Sequence, residues 1–406
     1  MPSIIVQKFG GTSVGSPERI KAVATRVIES QKHYDHVVVV VSAMGDTTDD
    51  LISLAKQITS KPSAREYDAL ISTGENISAA LVAMAIQAQG GHAISLTGPQ
   101  AGVQTENLYS KAKITRVDPT RLRKELSEGK IVIVTGFQGL NDFNDVTTIG
   151  RGGSDTSAVV LAAALGAPVC EIYTDVDGVY TTDPRAVKTA SKLAEISYDE
   201  MLELASLGAK VLHPRSVECA KENNIILHVR SSFSPEEGTM VKEANPMENN
   251  RPVTGITLSE EEAVISLNKI PDTPGTASQL FTQLAEASVN VDMIIQSSEE
   301  NNKNTITFTV LEDDFDTAKN VTESVAKTLN AQNVTTNTSI AKISIVGVGM
   351  ISKPGIAARM FSALGKNGIN INLISTSEIK ISCAIARSDA KHALALLHTE
   401  FELDKH

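Results

Sequence analysis

Residues 148–157 read Thr148-Ile149-Gly150-Arg151-Gly152-Gly153-Ser154-Asp155-Thr156-Ser157. A strand-like run leads into this stretch, three glycines turn the chain, and an alanine-rich helical pattern, Ser154–Leu165, carries it away. Glycines let backbone N–H groups come close to a ligand. The start of a helix adds unpaired amides and the positive end of its dipole. Arg151 and the Ser154 hydroxyl supply further donors, and the whole is an anion site at a strand–helix junction.

The same alternation extends through the first 230 residues. Ile4–Val6, Val37–Val41, Ala93–Leu96, Ile131–Val134, Val169–Tyr173 and Ile225–Val229 are valine- and isoleucine-rich runs that read as buried strands. Pro17–Ser30, Asp50–Ile58, Asn76–Gln89 and Ser154–Leu165 have helical patterns between them. The fold class is therefore α/β, a three-layer domain with a mainly parallel sheet covered on both faces. Ligands of such sheets gather at the carboxyl ends of the strands.

Several other motifs lie at those ends. Lys8-Phe9-Gly10-Gly11-Thr12-Ser13 sets a lysine beside paired glycines, either as a phosphate contact or as a glycine turn with an incidental lysine, and no GxxxxGK[ST] loop occurs. Ser42 to Thr48 offers small hydroxyls that either contact a ligand or cap the next helix. Glu75, in Ser72-Thr73-Gly74-Glu75, either reads an ammonium group or is a helix's first-turn acid. Tyr173 to Arg185 carries Asp175 and Asp177 beside Gly178, as solvated loop carboxylates or as neighbours of a Mg²⁺-nucleotide. Lys210 and His213 lie in Gly208–Pro214, and His213 reads as a capping or core-edge residue in preference to a catalytic base.

Ser231–Arg251 is polar and contains Pro235, Gly238 and Pro246, which suggests a connection between domains. An internal repeat follows. Pro274-Gly275 precedes Asn290-Val-Asp292 as Pro354-Gly355 precedes Asn370-Ile-Asn372, with 80 residues between the copies. Strands Ala263–Leu267 and Thr305–Val310 flank the first copy, and Lys342–Val346 and Lys380–Ala386 flank the second. The pattern is two βαββαβ units, each ferredoxin-like.

Bulk properties narrow the function. The chain has 406 residues, with formal charge −11, 4% aromatic residues and no tryptophan. The acidic balance argues against nucleic-acid and anionic-membrane partners. Cys170, Cys219 and Cys383 are too dispersed for a metal or disulfide framework, so no resident metal is expected. The apolar run Val37–Val41 is far too short to span a bilayer, and no leader pattern opens the chain. A cytoplasmic protein is the expectation.

The ordered set KFGGTS, SAMG, STGE, GRGGSDTSA, YTDVDGVYTTDPR and GAKVLHPR resembles the aspartate kinases of the amino acid kinase superfamily, and the repeat resembles their tandem ACT domains. The likeness runs from Ile4 to Leu403. It implies a catalytic domain over 1–230, a linker over 231–260, and ACT domains over 261–335 and 341–406. It also implies ATP-dependent phosphorylation of the L-aspartate β-carboxylate, with Mg²⁺, at the start of lysine, threonine and methionine biosynthesis.

Lys8 and Asp155 are then catalytic, and Lys8, Gly10 and Gly11 touch the transferring phosphate. Ser42, Thr48, Glu75, Arg151, Gly152, Gly153 and Ser154 surround aspartate. Thr174, Asp175, Tyr180, Asp183, Arg185, Lys210 and Val211 bind ATP. Lysine and/or threonine would inhibit from the ACT domains. Asp272, Thr273, Ala277, Asn290, Asp292 and Gln296 form that site in one copy; Asn370, Asn372, Ser375, Thr376 and Glu378 match it in the other. Pairing through ACT domains, as a homodimer or an α2β2 assembly, is implied as well. Two rival readings are another amino acid kinase and a non-catalytic amino-acid sensor on the same scaffold.

Overall fold

The computed structural model describes residues 2–209, 211–244, 251–299 and 302–404. It divides into two units: one of Met1–Val179, Lys192–Ser206 and Lys210–Asn245, the other of Tyr180–Ser191, Leu207–Ala209 and Pro246–His406.

The strands of the first unit are β1 (Ile4–Phe9), β2 (His36–Val41), β3 (Ala93–Leu96), β4 (Val103–Thr105), β5 (Ile114–Val117), β6 (Ile131–Thr135), β7 (Gln138–Leu140), β8 (Val146–Thr148), β9 (Val169–Thr174), β10 (Glu195–Ser197), β11 (Ile226–Ser231) and β12 (Thr239–Lys242). Its helices are α1 (Pro17–Ser30), α2 (Thr47–Ile58), α3 (Ala64–Ile71), α4 (Thr73–Ala88), α5 (Thr120–Ser127), α6 (Gly153–Leu165), α7 (Tyr198–Ser206) and α8 (Pro214–Asn223). The main sheet has the order β10-β12-β11-β9-β1-β2-β6-β3, parallel except for β11 against β12. A smaller sheet runs β5-β4-β7-β8.

Strand parity decides which helix each residue meets. Ile5, Phe9, Val37, Val39, Val41, Ile131 and Ile133 pack with Val23 and Val27 of α1 and Val82 and Ile86 of α4. The alternate residues, Val6, Val38, Val40, Val132 and Val134, are equally buried. α6 packs against β1, β2 and β9. Lys8 shares the parity of Val6, and α6 opens with Asp155.

α3 and α4 follow one another over Ala64–Ala88, long and apolar enough in composition to cross a membrane, but half of that window is buried in the protein. It is a core helix covering β2, β3 and β6.

In the second unit, β13 (Gly255–Pro271), β14 (Ile294–Glu299), β15 (Lys303–Leu311), β16 (Asn333–Val346), β17 (Ile371–Thr376) and β18 (Lys380–Ala386) form one sheet of order β14-β15-β13-β16-β18-β17. The helices are α9 (Thr276–Glu286), α10 (Phe315–Thr328), α11 (Ile356–Lys366) and α12 (Ala390–Glu400). Both repeats fold as read, with separate cores around Leu280 and Phe308 and around Leu364 and Ile385.

Three boundaries differ from the expectation. Thr239–Lys242, read as linker, is β12 of the main sheet, paired with β10 and β11. Residues 255–260 belong to β13, not to a linker, and Gly255–Ser259 pairs with Val346–Lys342 of β16. The second repeat thus takes its closing strand from ahead of the first, because the chain offers no strand after α12 among the described residues. Tyr180–Ser191, read as catalytic domain, clusters with the second unit. Val187 is buried with Val253 and Ile256, the Ile256 N–H donates to the Thr181 carbonyl at 2.7 Å, and the Thr181 hydroxyl lies 3.0 Å from Nε2 of buried His398.

Candidate active site

The carboxyl ends of β1, β2, β6 and β9 are laced together by their loops. The Gly10 N–H donates to the Tyr173 carbonyl (3.1 Å), that of Ser42 to Phe9 (3.2 Å), and that of Gly136 to Val41 (2.9 Å). The strand order turns back at β1, so these ends form the ligand crevice of an open α/β sheet. Gly11 allows a close approach: a Cβ there would stand 2.8 Å from the Ala43 carbonyl oxygen.

Parity brings Lys8 to the start of α6, and its Nζ lies 2.6 Å from Asp155 Oδ1, both side chains about nine-tenths buried (11% and 12% exposed). One cation and one anion at the mouth of a helix leave a position where a phosphoryl group would meet Lys8 and free amides together.

Glu75 stands in the first turn of α4, 3% exposed. Its Oε1 accepts from the Ala43 N–H at 3.1 Å, and its Oε2 is buried with no hydrogen-bond partner among the described residues. Burial pushes its carboxyl up from 4.5 to about 7, against the Ala43 bond that pulls it down. A buried carboxylate with an open oxygen is a seat for a cation. Ser78 Oγ, one turn on, donates to the Ser42 carbonyl at 2.7 Å, so α4 holds both the carboxylate and the Ser42 loop. Ser42 and Thr48 are half-buried, Thr48 in the first turn of α2.

The glycine turn after β8 has Gly150 at φ +85° and Gly152 at φ +68°, the left-handed region that glycine tolerates. A Cβ on Gly152 would fall 2.2 Å from the His213 ring. His213 caps α8, its Nδ1 accepting from the Arg215 N–H, and burial lowers its basicity. That is the capping role read from the sequence. Arg151 projects from the turn, exposed and with no bonded partner among the described residues. Gly153, Ser154 and Asp155 follow, buried, in the first turn of α6.

The residues expected at ATP divide. Thr174 and the exposed Asp175 end β9 beside Gly10, with the Thr174 hydroxyl donating to the Asp175 carboxylate at 3.1 Å. Tyr180, Asp183 and Arg185 fold in the second unit, where Asp183 and Arg185 form an exposed pair at 2.9 Å. Val211 is half-buried, and Lys210 lies outside the described residues. Among the described residues no three His, Cys, Asp or Glu side chains cluster as a metal site.

The second unit contains a cavity of about 360 Å³ at the start of α9. Asp272, Thr273, Ala277 and Gln296 line it, as do Asn304 and Ser278, which sequence reasoning missed. Asn304 Nδ2 donates to Asp272 Oδ1 at 2.7 Å, while Asn304 Oδ1 is buried without a hydrogen-bond partner among the described residues. Asn290 and Asp292 do not line this cavity, contrary to expectation. Asp292 instead pairs with buried Lys342, which also meets Glu262 at 2.6 Å.

In the second repeat Asn370 and Asn372 are exposed and 3.5 Å apart, Ser375 is half-buried, and Thr376 and Glu378 are exposed. There the offset of 80 puts Ser352, Lys353, Ile356 and Ala358 where the first has Asp272, Thr273, Thr276 and Ser278.

Residues 3–231 match the Amino acid kinase family, and 265–324 and 343–401 match the ACT domain. A curated aspartokinase of Bacillus sp. (strain MGA3) is 52% identical over 400 residues, covering 98% of this chain and 97% of its own. The chain belongs to the aspartokinases of the amino acid kinase family. An aspartokinase is a phosphotransferase with a carboxyl group as acceptor, and this chain is such an enzyme.

Among solved aspartokinases, E. coli aspartokinase III in complex with aspartate and ADP superposes with a TM-score of 0.81 at 26% identity, over 98% of this chain and 99% of that one. The same enzyme in complex with lysine and aspartate gives 0.78 at 26% identity, over the same shares.

Proposed function

We propose that the protein transfers the γ-phosphoryl group of ATP to the β-carboxylate of L-aspartate, giving 4-phospho-L-aspartate and ADP. The buried carboxylate of Glu75, bonded to the Ala43 N–H just past the end of β2, together with the Lys8–Asp155 pair at the end of β1, carries this reading. Glu75 receives the substrate ammonium and Arg151 its α-carboxylate. The Ser42 loop, Thr48, Ser154 and the amides of Gly152 and Gly153 complete that pocket.

The reaction needs no general base. An aspartate side chain ionises near pH 3.9 and is already a carboxylate at neutral pH. Its oxygen attacks the γ-phosphorus as the bond to the ADP oxygen breaks. The obstacle is repulsion between two anions, and fixed positive groups relieve it. Lys8, held by Asp155, and the Gly10–Gly11 amides are those groups. Thr174, Asp175, Tyr180, Asp183, Arg185, Lys210 and Val211 are assigned to ATP. Mg²⁺ would arrive on the nucleotide, lowering its phosphate charge, with Asp175 as the carboxylate at that strand end.

Lys8→Ala should lower kcat by at least about a hundred-fold with KM for aspartate little changed, read by coupled ADP release. Near-normal kcat would refute the role given to Lys8. Aspartate, glutamate and N-acetylglutamate as alternative acceptors separate this kinase from its relatives, and absence of ADP release with any of them would leave the sensor.

Lysine and/or threonine are the proposed inhibitors, bound at the cavity of Asp272, Thr273, Ala277 and Gln296. The lysine complex of E. coli aspartokinase III supports this. Inhibition by neither amino acid, alone or combined, would remove it. The open edge strands β14 and β17 suit pairing between chains, as a homodimer or an α2β2 assembly. The cytoplasm, at the head of lysine, threonine and methionine synthesis, fits such an enzyme.

A further inference from the structure

The glycine turn that presents Arg151 is closed by the Gly153 N–H on the Gly150 carbonyl (3.0 Å), and its exit is tied to α6 by the Thr156 and Ser157 hydroxyls, which donate to the Gly152 and Gly153 carbonyls at 3.1 and 2.8 Å. Its entry is bonded at every backbone position. The Thr148 N–H donates to Asp68 Oδ2 at 2.8 Å, and its carbonyl accepts from the Ala112 N–H at 3.0 Å. The Ile149 N–H donates to the Phe137 carbonyl at 2.9 Å, and its own carbonyl accepts from Arg215 Nη1 at 2.7 Å. From there the chain passes through Gly150 and Gly152, which have little preference of their own. With the exit anchored on α6, these four bonds set the direction in which the turn leaves β8 and presents Arg151.

Two charged side chains outside the glycine motif make the brace. Asp68, on α3, is fully buried and accepts four hydrogen bonds: from the N–H and hydroxyl of Thr148, and from the N–H and hydroxyl of Ser110. Ser110 is held at φ +68°, a strained value for serine, and its carbonyl would lie 3.3 Å from a Cβ on Gly150. Arg215, in the first turn of α8, bonds the Ala112 carbonyl at 3.3 Å as well as Ile149. One carboxylate and one guanidinium thus clamp both the turn's entry and the loop behind it. Hydrogen bonds to buried charged groups are the strong, directional kind.

We propose that Asp68 and Arg215 are positioning residues for aspartate recognition, fixing the turn from which Arg151 reaches the substrate α-carboxylate. The inference rests on the assignment of Arg151 made above. Neither side chain touches substrate; each acts through the backbone of Thr148 and Ile149. A purely structural role would lower stability and affect both substrates alike, whereas positioning acts on aspartate alone and through Arg151 alone.

The test is a double-mutant cycle in the full-length enzyme. Asp68→Ala removes the acceptor from all four donors, whereas an asparagine could keep its oxygen on the two N–H groups and donate its amide to the two hydroxyls. Arg215→Lys can keep only one of two bonds. Each should raise KM for aspartate roughly ten-fold, leave KM for ATP within about two-fold, and have no further effect on aspartate in an Arg151→Ala background. The inference is overturned if the increases persist undiminished without Arg151, or if both KM values rise together. An Arg151→Ala enzyme with unchanged KM for aspartate would instead overturn the assignment of Arg151, and the inference with it. Circular dichroism confirms folding, and should Asp68→Ala not fold, the Arg215→Lys cycle decides alone.

Discussion

Glu75→Gln separates a carboxylate kept for a ligand's ammonium from an ordinary helix-start acid. In the folded protein burial holds the Glu75 carboxyl at about 7, against an ordinary value of 4.5. Between those values the folded state binds more protons than the unfolded state, so stability falls as pH rises through the window and levels off above about 7. The window is about 2.5 pH units wide. At about 1.4 kcal/mol per pH unit the loss approaches about 3 kcal/mol.

Glutamine cannot titrate. It keeps an acceptor for the Ala43 N–H, and the cost of burying its unpaired amide is the same at every pH. The informative quantity is therefore the difference between the two proteins as pH changes. Urea unfolding followed by circular dichroism, at about pH 5 and about pH 8, should show wild type losing roughly 2–3 kcal/mol relative to the variant. L-Aspartate should stabilise wild type increasingly as Glu75 ionises and should do much less for the variant. Parallel pH profiles for the two proteins would refute the burial argument. Equal stabilisation by aspartate would refute the ammonium seat.

Gly152→Ala should cost at least about 1 kcal/mol from its left-handed backbone alone, and more from the His213 ring, with activity falling faster than stability because the turn carries Arg151. Thermal melting alongside aspartate kinetics checks this; an active, stable variant would mean that the turn relaxes freely. Asn304→Ala should raise the inhibitory concentration of lysine or threonine roughly ten-fold, with uninhibited kcat unchanged, since it removes both the lock on Asp272 and an open acceptor in the cavity. Unaltered inhibition would move the effector elsewhere.

The elements legible in the sequence were those encoded within a few residues. α1 was read at Pro17–Ser30 and is found there, because Ser16 accepts from the Arg19 N–H and a proline at the first helical position starts the helix. Both repeats were visible because motif and spacing recur. The Lys8 and Gly10–Gly11 junction could be read as a ligand loop, as could the glycine turn. Strand parity then accounts for Lys8 facing α6, once α6 is known to cover that face.

Asp292 shows the opposite case. Its position beside a repeated motif suggested the effector cavity, but Lys342, 50 residues away in sequence, is its ion-pair partner. Nothing local in either segment announces that pairing. Asn304, Asp68 and Arg215 were missed for the same reason, since each acts on backbone or side chains distant in sequence.

The sequence by itself showed a glycine-rich anion site at a strand–helix junction, and the resemblance of its ordered motifs to the aspartate kinases supplied the class of chemistry. The tertiary structure alone decided how the parts are held. It set the open oxygen of Glu75 in a buried pocket, gave the second repeat its closing strand from residues 255–259, and folded Tyr180–Ser191 with the C-terminal unit. Local pattern specifies strands, turns and caps because those depend on neighbouring residues. Burial, strand exchange and the bracing of a turn depend on which surfaces meet, and that emerges only when the whole chain has closed on itself.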